Sequence, residues 1–160
     1  DVTSTLGKGT TVTVYFPALS ANDRDARRLD TVLPAIAHGN GESILLVDDL
    51  PDQRLLGKEI LSSLGYLVET APSGEKAVAF LQNNTVDLVL LDMVMDPGMD
   101  GVETYLEIQK LRPDQRVIIV SGYCETDRMR KALRLGVRAF IKKPYTLDEI
   151  AETINRELSI

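Results

Sequence analysis

The chain has 160 residues, about the length of one domain, and its 44% apolar and 26% charged residues are typical of a globular protein rather than a disordered or fibrous one. The formal net charge of −6 disfavours a nucleic-acid surface, because phosphate binding needs clustered Lys and Arg. The apolar runs at 44–47 and 117–120 have four residues each, far short of the roughly 20 that a bilayer-spanning helix needs. We therefore expect neither a nucleic-acid partner nor membrane contact by this chain.

A single cysteine, Cys124, excludes an intrachain disulfide and a CxxC metal motif. This cysteine usage favours a reducing, cytoplasmic location. The chain begins at Asp1 rather than at a methionine and carries no signal-peptide pattern, so we expect it to be part of a longer protein.

The first 41 residues differ in charge from the rest. Their acidic and basic residues balance, so the whole net charge of −6 lies in residues 42–160. Residues 10–16, TTVTVYF, are a β-branched and aromatic run that follows two glycines and ends before Pro17, and they predict a strand after a turn. Residues 19–41 have no sustained periodicity and end in small, turn-forming residues. We predict a linker there, with a short helical turn over residues 24–33.

From residue 42 onward, five short apolar runs alternate with amphipathic stretches. The predicted strands are 44–47, 66–70, 87–91, 116–120 and 138–141. The clearest predicted helix is the last, in which Leu147, Ile150, Ala151, Ile154 and Leu158 share one face. Thr146 immediately precedes this helix and Glu149 lies in its first turn, which is the spacing of a capping box. The alternation predicts an α/β fold, a doubly wound parallel sheet with helices on both faces.

The composition of the predicted strands indicates their order. The strands at 44–47, 87–91 and 116–120 are almost wholly apolar, as expected of central strands, whereas 66–70 carries Glu69 and 138–141 is short. The flavodoxin-like order 2-1-3-4-5 satisfies this pattern, and its ligand crevice lies at the carboxyl ends of strands one and three.

Polar residues follow four of the five predicted strands. These residues are Asp48 and Asp49, Asp92, Ser121 and Lys143. A lone Asp after a strand is more often a cap or a turn residue, but their joint arrival at one sheet edge is hard to obtain by chance.

Three carboxylates in one crevice repel each other unless one takes up a proton or a cation lies among them. With only oxygen ligands on offer, the site suits Mg²⁺ or Mn²⁺ rather than Zn²⁺. A carboxylate beside such an ion can attack phosphorus and form an aspartyl phosphate. The Lys143 ammonium and the Ser121 hydroxyl would then contact the phosphoryl oxygens.

Four motifs resemble the receiver domain of the two-component response-regulator family, and the resemblance covers residues 42–160. They are LLVDDLPDQ, DLVLLDMVMDPGMDG, VIIVSG and AFIKKPYTLDEI. The resemblance implies that Asp92 is the phosphoacceptor and that Asp49 and Asp92 bind Mg²⁺, with Asp48 acting directly or through water and the main-chain carbonyl of Val94 as a further ligand. It also implies that Lys143, before a commonly cis Pro144, is the site lysine, and that Ser121 and Phe140 are the switch pair.

The same resemblance implies function and partners. The phosphoryl donor to Asp92 would be a histidine kinase or a histidine-phosphotransfer protein, and the kinase could be a domain of the same parent protein. The output would be a changed protein contact or a homodimer. The chain itself would then be no enzyme beyond self-phosphorylation and self-dephosphorylation. The loop after Asp92 is one residue longer than the common family pattern. Because Val94 is apolar and Tyr123 is bulky where they would flank an attacking water, we expect slow self-dephosphorylation.

Residues 1–18 carry a second, shorter resemblance. TSTLGKGTTVTVYFPA is similar to the last hairpin of the ATP-binding domain of sensor histidine kinases, with GKGT as its turn. The resemblance implies a hybrid histidine kinase as the parent protein, with residues 1–18 as the hairpin, 19–41 as the linker and 42–160 as the receiver. A simple hairpin with a glycine turn is the alternative interpretation.

Two other functions remain open from the residues alone. A metal-dependent phosphatase or phosphotransferase could use an aspartyl-phosphate intermediate on a similar fold. Enzymes of the haloacid dehalogenase type place the nucleophilic Asp after the first strand with a second acid two residues on, and DDLPD does not supply that spacing. A docking module with a vestigial site is the third class, which the intact acidic set disfavours.

Overall fold

The computed structural model describes residues 1–15, 38–122 and 127–159. The chain divides into two units, residues 1–35 and 36–160. The predicted helical turn at 24–33 and most of the predicted linker lie outside the described residues, as do Tyr123 and Cys124.

The described part of the first unit is an antiparallel hairpin of β1 (Val2–Thr5) and β2 (Gly9–Val12). Gly7 has φ 77° in its turn, a left-handed conformation that favours glycine. The predicted strand begins one residue earlier and ends sooner than expected, because its pairing with β1 stops at Val12. All eight strand residues are exposed, so this hairpin has no core of its own.

The second unit alternates strands and helices. Its strands are β3 (Ser43–Val47), β4 (Leu67–Ala71), β5 (Leu88–Asp92), β6 (Val117–Ser121) and β7 (Ala139–Lys142). Its helices are α1 (Pro51–Ser63), α2 (Gly74–Asn83), α3 (Gly101–Leu111), α4 (Asp127–Arg134) and α5 (Leu147–Leu158). All five predicted strands are confirmed. The first ends at Val47 as predicted, and each of the other four ends one residue later than predicted. Asp92 pairs with Val120, and Ser121 pairs with Lys142, so both belong to strands rather than to loops.

The five strands form one parallel sheet in the order β4-β3-β5-β6-β7. When the strands are numbered within the second unit alone, this order is 2-1-3-4-5, so the predicted flavodoxin-like order is confirmed. The central strands β5 and β6 are buried along their whole length, whereas Leu67 and Glu69 on the edge strand β4 are exposed. A core cluster lies on each face of the sheet, one around Leu45, Leu91 and Ile119 and the other around Ile44, Leu90 and Ile118.

Two capping boxes fix the starts of the helices that follow loops at the carboxyl edge of the sheet. Thr146 and Glu149 form the predicted capping box of α5. A second capping box, formed by Asp100 and Glu103, begins α3 directly after the loop that follows Asp92. At Gly101 a Cβ atom would lie 2.5 Å from the carbonyl oxygen of Asp92, so only glycine lets α3 approach the end of β5 this closely.

Candidate metal centre

Three carboxylates meet at the carboxyl edge of the sheet. Asp48 and Asp49 follow β3 and Asp92 ends β5, and these two strands are neighbours that run in parallel. One oxygen from each carboxylate lies within 4.8 Å of the other two. Asp48 and Asp92 are only 4% and 8% exposed, and Asp49 is half-buried. The structure therefore brings together the three acids that the sequence analysis selected.

Lys143 joins two of these acids. Its Nζ donates hydrogen bonds to Oδ2 of Asp92 at 2.8 Å and to Oδ2 of Asp48 at 3.0 Å. Its backbone N–H donates to the carbonyl oxygen of Ser121 at 2.8 Å, which fixes the chain where it leaves β7. The peptide bond between Lys143 and Pro144 is cis, as the resemblance implied, and the neighbouring Lys142 side chain is exposed.

The charged groups in this site shift each other's pKa values. Burial raises the pKa of Asp92, an effect that the Lys143 hydrogen bond and charge oppose and that the Asp48 charge reinforces. Burial alone would lower the pKa of Lys143, but the hydrogen bonds and charges of Asp92 and Asp48 outweigh it, so the net shift is upward. Lys143 therefore stays a cation in neutral solution and offsets part of the repulsion among the acids.

Backbone N–H groups orient all three carboxylates. Leu50 donates to Oδ1 of Asp48 at 2.9 Å, and Val94 donates to Oδ1 of Asp92 at 3.2 Å. The N–H of Asp96, in the loop after β5, donates across to Oδ2 of Asp49 at 3.3 Å. Because each acid is held by its backbone partner, the cluster is arranged before any ion binds.

The donor set fits a hard dication. The three residues offer only carboxylate oxygens, which Mg²⁺ and Mn²⁺ prefer and which do not favour softer metals. Mg²⁺ takes one or two carboxylates and keeps several waters, so it needs no further protein ligand. The backbone N–H of Val94 lies beside Asp92, but the role of its carbonyl as a ligand stays a prediction.

The two predicted switch residues lie on β6 and β7. Ser121 ends β6 and is 6% exposed, while Phe140 is half-buried and packs against the core around Leu45, Leu91 and Ile119. Ser121 pairs with Lys142 and Ile119 pairs with Phe140, so alternation along the strands puts Ser121 and Phe140 on the same face of the sheet. Their movement on phosphorylation stays a prediction.

Two contributors escaped the sequence analysis. Gln53, in the first turn of α1, accepts a hydrogen bond from Lys143 Nζ at 2.7 Å. Tyr145 lines a cavity of about 330 Å³ that adjoins Asp48, Asp92 and Lys143. No spacing in the sequence marked Gln53 as a site residue, because its contact depends on how α1 packs against the sheet. A separate cavity of about 410 Å³ lies at the opposite edge of the sheet, between Tyr105 and Glu157, and contains none of the clustered acids.

The family model of the response regulator receiver domain matches residues 44–155. Sporulation initiation phosphotransferase F of Bacillus subtilis is 35% identical over 119 residues, which cover 74% of this chain and 95% of that protein. Sensor kinase CckA of Brucella abortus is 34% identical over 162 residues, which cover 97% of this chain but only 17% of the kinase. The crystal structure of the response regulator TrrA from Thermotoga maritima in complex with Mg²⁺–BeF superposes with a TM-score of 0.65 at 34% identity, covering 72% of this chain and 98% of that one.

These matches help to decide between the functions that the residues alone left open. They support a phosphoacceptor domain and give no support to a metal-dependent phosphatase. Within the described residues, no helix is both long enough and apolar enough to span a bilayer.

Proposed function

Because this chain belongs to the response regulator receiver domain family, we propose that it is a phosphorylation switch in which Asp92 accepts the phosphoryl group. Asp48, Asp49 and Asp92 would hold Mg²⁺, or Mn²⁺ in its place, and the carbonyl of Val94 would be an added ligand. Ser121 and Phe140 would respond to the phosphoryl group. A receiver of this kind is a switch rather than an enzyme with a substrate of its own.

The observation that carries the proposal is the contact between Lys143 and Asp92. The ammonium lies 2.8 Å from Oδ2 of an acid that is 8% exposed, beside two further carboxylates from the neighbouring strand. An acid this deep in the structure needs a functional or an electrostatic reason for its burial. The same cation that offsets its charge would contact a phosphoryl oxygen once Asp92 is modified.

The residues divide the chemistry among them. An Asp92 oxygen attacks phosphorus of the donor, a P–O bond forms to Asp92, and the bond to the leaving group breaks with its electron pair going to that group. The donor is a phosphohistidine of a kinase or phosphotransfer protein, or a small acyl phosphate. When bound, Mg²⁺ neutralises charge on the phosphoryl oxygens. Lys143 would offset the remaining charge, and the Ser121 hydroxyl would donate a hydrogen bond to a phosphoryl oxygen.

Incubation with acetyl phosphate and Mg²⁺, followed by intact mass measurement, tests this function. We expect the mass of one phosphoryl group to be added to the wild type and to Asp114→Asn, a control whose side chain is exposed and lies outside the acidic cluster. Asp92→Asn should gain nothing. Modification of Asp92→Asn to the wild-type extent, or no Mg²⁺-dependent adduct on the wild type, would contradict the proposal. Steady release of phosphate from phosphomonoesters would favour the phosphatase instead.

We also propose that the chain comes from a hybrid histidine kinase, with residues 1–18 as the last hairpin of its ATP-binding domain, 19–41 as linker and 42–160 as receiver. The match to a sensor kinase extends over 97% of this chain, whereas the match to the phosphotransferase extends over 74%. The β1–β2 hairpin is fully exposed, and an isolated two-stranded hairpin is marginally stable in water. Both facts favour a larger sheet to which the hairpin belongs.

The gene sequence upstream of the codon for Asp1 tests this origin. We expect an open reading frame that encodes an ATP-binding domain and, before it, a helix bearing a phosphoacceptor histidine. The chain's own kinase domain would then be one phosphoryl donor for Asp92. A stop codon directly upstream, in frame, would contradict the proposal.

A further inference from the structure

The loop between β5 and α3 is tied to a second element far from it in sequence. The backbone N–H of Met99 donates a hydrogen bond to Oε1 of Glu75 at 2.8 Å. Glu75 is the second residue of α2, and its side chain reaches outward to the loop of residues 93–100. This hydrogen bond lowers the pKa of Glu75, so the carboxylate is charged under ordinary conditions.

Gly98 brings the loop backbone directly against the same carboxylate. Its φ is +121°, a backbone conformation that residues with a side chain rarely adopt. A Cβ atom there would lie 2.7 Å from Oε1 of Glu75. The loop therefore has both a hydrogen bond and a close backbone contact on Glu75. A solvated acid at the start of a helix would need neither, since its favourable interaction with the helix dipole requires no partner.

The other end of the loop holds the acids of the metal centre. The N–H of Val94 donates to Asp92, and the N–H of Asp96 donates to Oδ2 of Asp49. Among the described residues, the Asp96 N–H makes the loop's only hydrogen bond to Asp49, the one member of the cluster to which Lys143 donates none. The contacts thus run from Glu75 through Met99 and the loop backbone to Asp49.

We propose that Glu75 is a positioning residue for the metal centre. By anchoring the loop at Met99, it keeps the Asp96 N–H on Asp49 and so holds the Asp49 carboxylate in the orientation that binds Mg²⁺. This inference rests on the proposed function, because it assumes that Asp49 is a ligand. Glu75 itself is not a ligand and contacts no member of the cluster within the described residues.

The test is the Mg²⁺ dissociation constant, measured by isothermal titration calorimetry on the unphosphorylated chain. Glu75→Ala should weaken binding by about tenfold, the effect of losing one charge-assisted hydrogen bond. Glu75→Gln keeps an oxygen acceptor for the Met99 N–H and should stay within about threefold of wild type. Glu152→Ala removes one negative charge from the exposed face of α5 and should leave the affinity unchanged. Gly98→Ala should weaken binding as Glu75→Ala does.

Hydrogen exchange at the Met99 amide provides the second readout. We expect faster exchange in Glu75→Ala and near wild-type exchange in Glu75→Gln. Faster exchange with unchanged Mg²⁺ affinity would overturn the inference, because the loop would then move without affecting Asp49. Equal weakening by the Ala and Gln variants would also overturn it, since the negative charge alone would be responsible. If Glu75→Ala does not fold, Glu75→Asp, one methylene too short to reach Met99, decides the question.

The two proposals fail in different ways. A wild-type chain that shows no saturable Mg²⁺ binding would refute the metal centre itself. A wild-type chain that binds Mg²⁺ with the same affinity as Glu75→Ala would refute only the role of Glu75.

Discussion

Gly74, the first residue of α2, packs so closely on Thr104 of α3 that a Cβ atom at position 74 would overlap the Thr104 hydroxyl oxygen. Thr104 is fully buried, and its Oγ1 is the one buried side-chain polar atom of the described residues that has no hydrogen-bond partner. The two helices thus meet through a glycine and an unpaired hydroxyl. A Cβ atom at position 74 would also lie 3.2 Å from Cβ of Met99, in the loop that Glu75 contacts.

Gly74→Ala should destabilise the domain by about 1–3 kcal/mol, because the added methyl group forces the helices apart. Thr104→Val should be neutral or slightly stabilising, since it removes an unpaired buried hydroxyl at almost constant volume. Thr104→Ala makes room for the methyl group, so the double variant Gly74→Ala with Thr104→Ala should be more stable than the two single effects predict. Urea unfolding of the wild type, Gly74→Ala, Thr104→Ala and the double variant gives the coupling energy, and additive effects would argue against the contact.

Lys143→Met removes the cation that contacts Asp92 and Asp48 while keeping an unbranched side chain of similar length. We expect Mg²⁺ to bind about tenfold more tightly, because the dication no longer competes with the ammonium for the same carboxylates. Phosphorylation by acetyl phosphate should nevertheless slow by at least about tenfold, since one phosphoryl contact is lost. Titration calorimetry and the rate of adduct formation measure the two effects separately.

Lys142→Met is the matched control, because that side chain is exposed and lies one residue away. It should change neither quantity. Weaker Mg²⁺ binding in Lys143→Met would mean that the ammonium organises the carboxylates rather than competing for them.

Much of the fold and the main charged residues of the site could be predicted, because both depend on the local sequence pattern. Short apolar runs set the strands, and Asp92 and Lys143 come at strand ends, so parallel topology alone brings them together. Gln53 and Glu75 were not predicted as site residues, because each enters from the first turn of a helix whose rotation depends on tertiary packing. No spacing in the sequence specifies such a contact.

The loop after β5 is the clearest case of information that the sequence lacks. Its extra residue was evident, but the Asp96 hydrogen bond to Asp49 depends on the path of the backbone. The peptide bond between Asp96 and Pro97 is cis, whereas the sequence analysis considered a cis bond only at Pro144. X–Pro steps permit either isomer, and the surrounding structure selects one.

Asp87 should make the stability of the domain depend on pH. Its Oδ2 accepts hydrogen bonds of 2.7 Å from both the N–H and the hydroxyl of Ser43, joining the amino ends of β3 and β5. These hydrogen bonds, the backbone one foremost, lower the pKa of Asp87. The stabilisation is therefore complete above the ordinary pKa of an Asp and is lost as the pH falls through the lower, folded-state pKa.

Asp87→Asn tests this dependence by urea unfolding at several pH values. The wild type should exceed the variant by about 1 kcal/mol or less near neutral pH, an amount limited by the exposure of Asp87. The difference should shrink as the solution is acidified below the usual range for Asp. Asp114→Asn, at an exposed position, is the control for the loss of one negative charge. A difference that grows on acidification would reverse the assigned sign.

Val94 should make the phosphorylated state of Asp92 long-lived. Its N–H donates a hydrogen bond to the Asp92 carboxylate, and the residue is 46% exposed. The family resemblance puts its side chain next to the water that would attack the phosphoryl group. An apolar side chain can neither orient that water nor accept its proton. We expect a half-life of minutes or longer for the phosphorylated domain, followed by intact mass after the donor is removed.

Val94→Asn places an amide where a water could be oriented and should shorten that half-life by about tenfold. Val94→Ala separates this effect from simple access, because it removes bulk without adding a polar group and should change the half-life less. Equal acceleration by Ala and Asn would show that Val94 acts only by covering the site. A wild-type half-life of seconds would refute slow self-dephosphorylation, and loss of phosphate from Val94→Asn at the wild-type rate would remove this residue from the explanation.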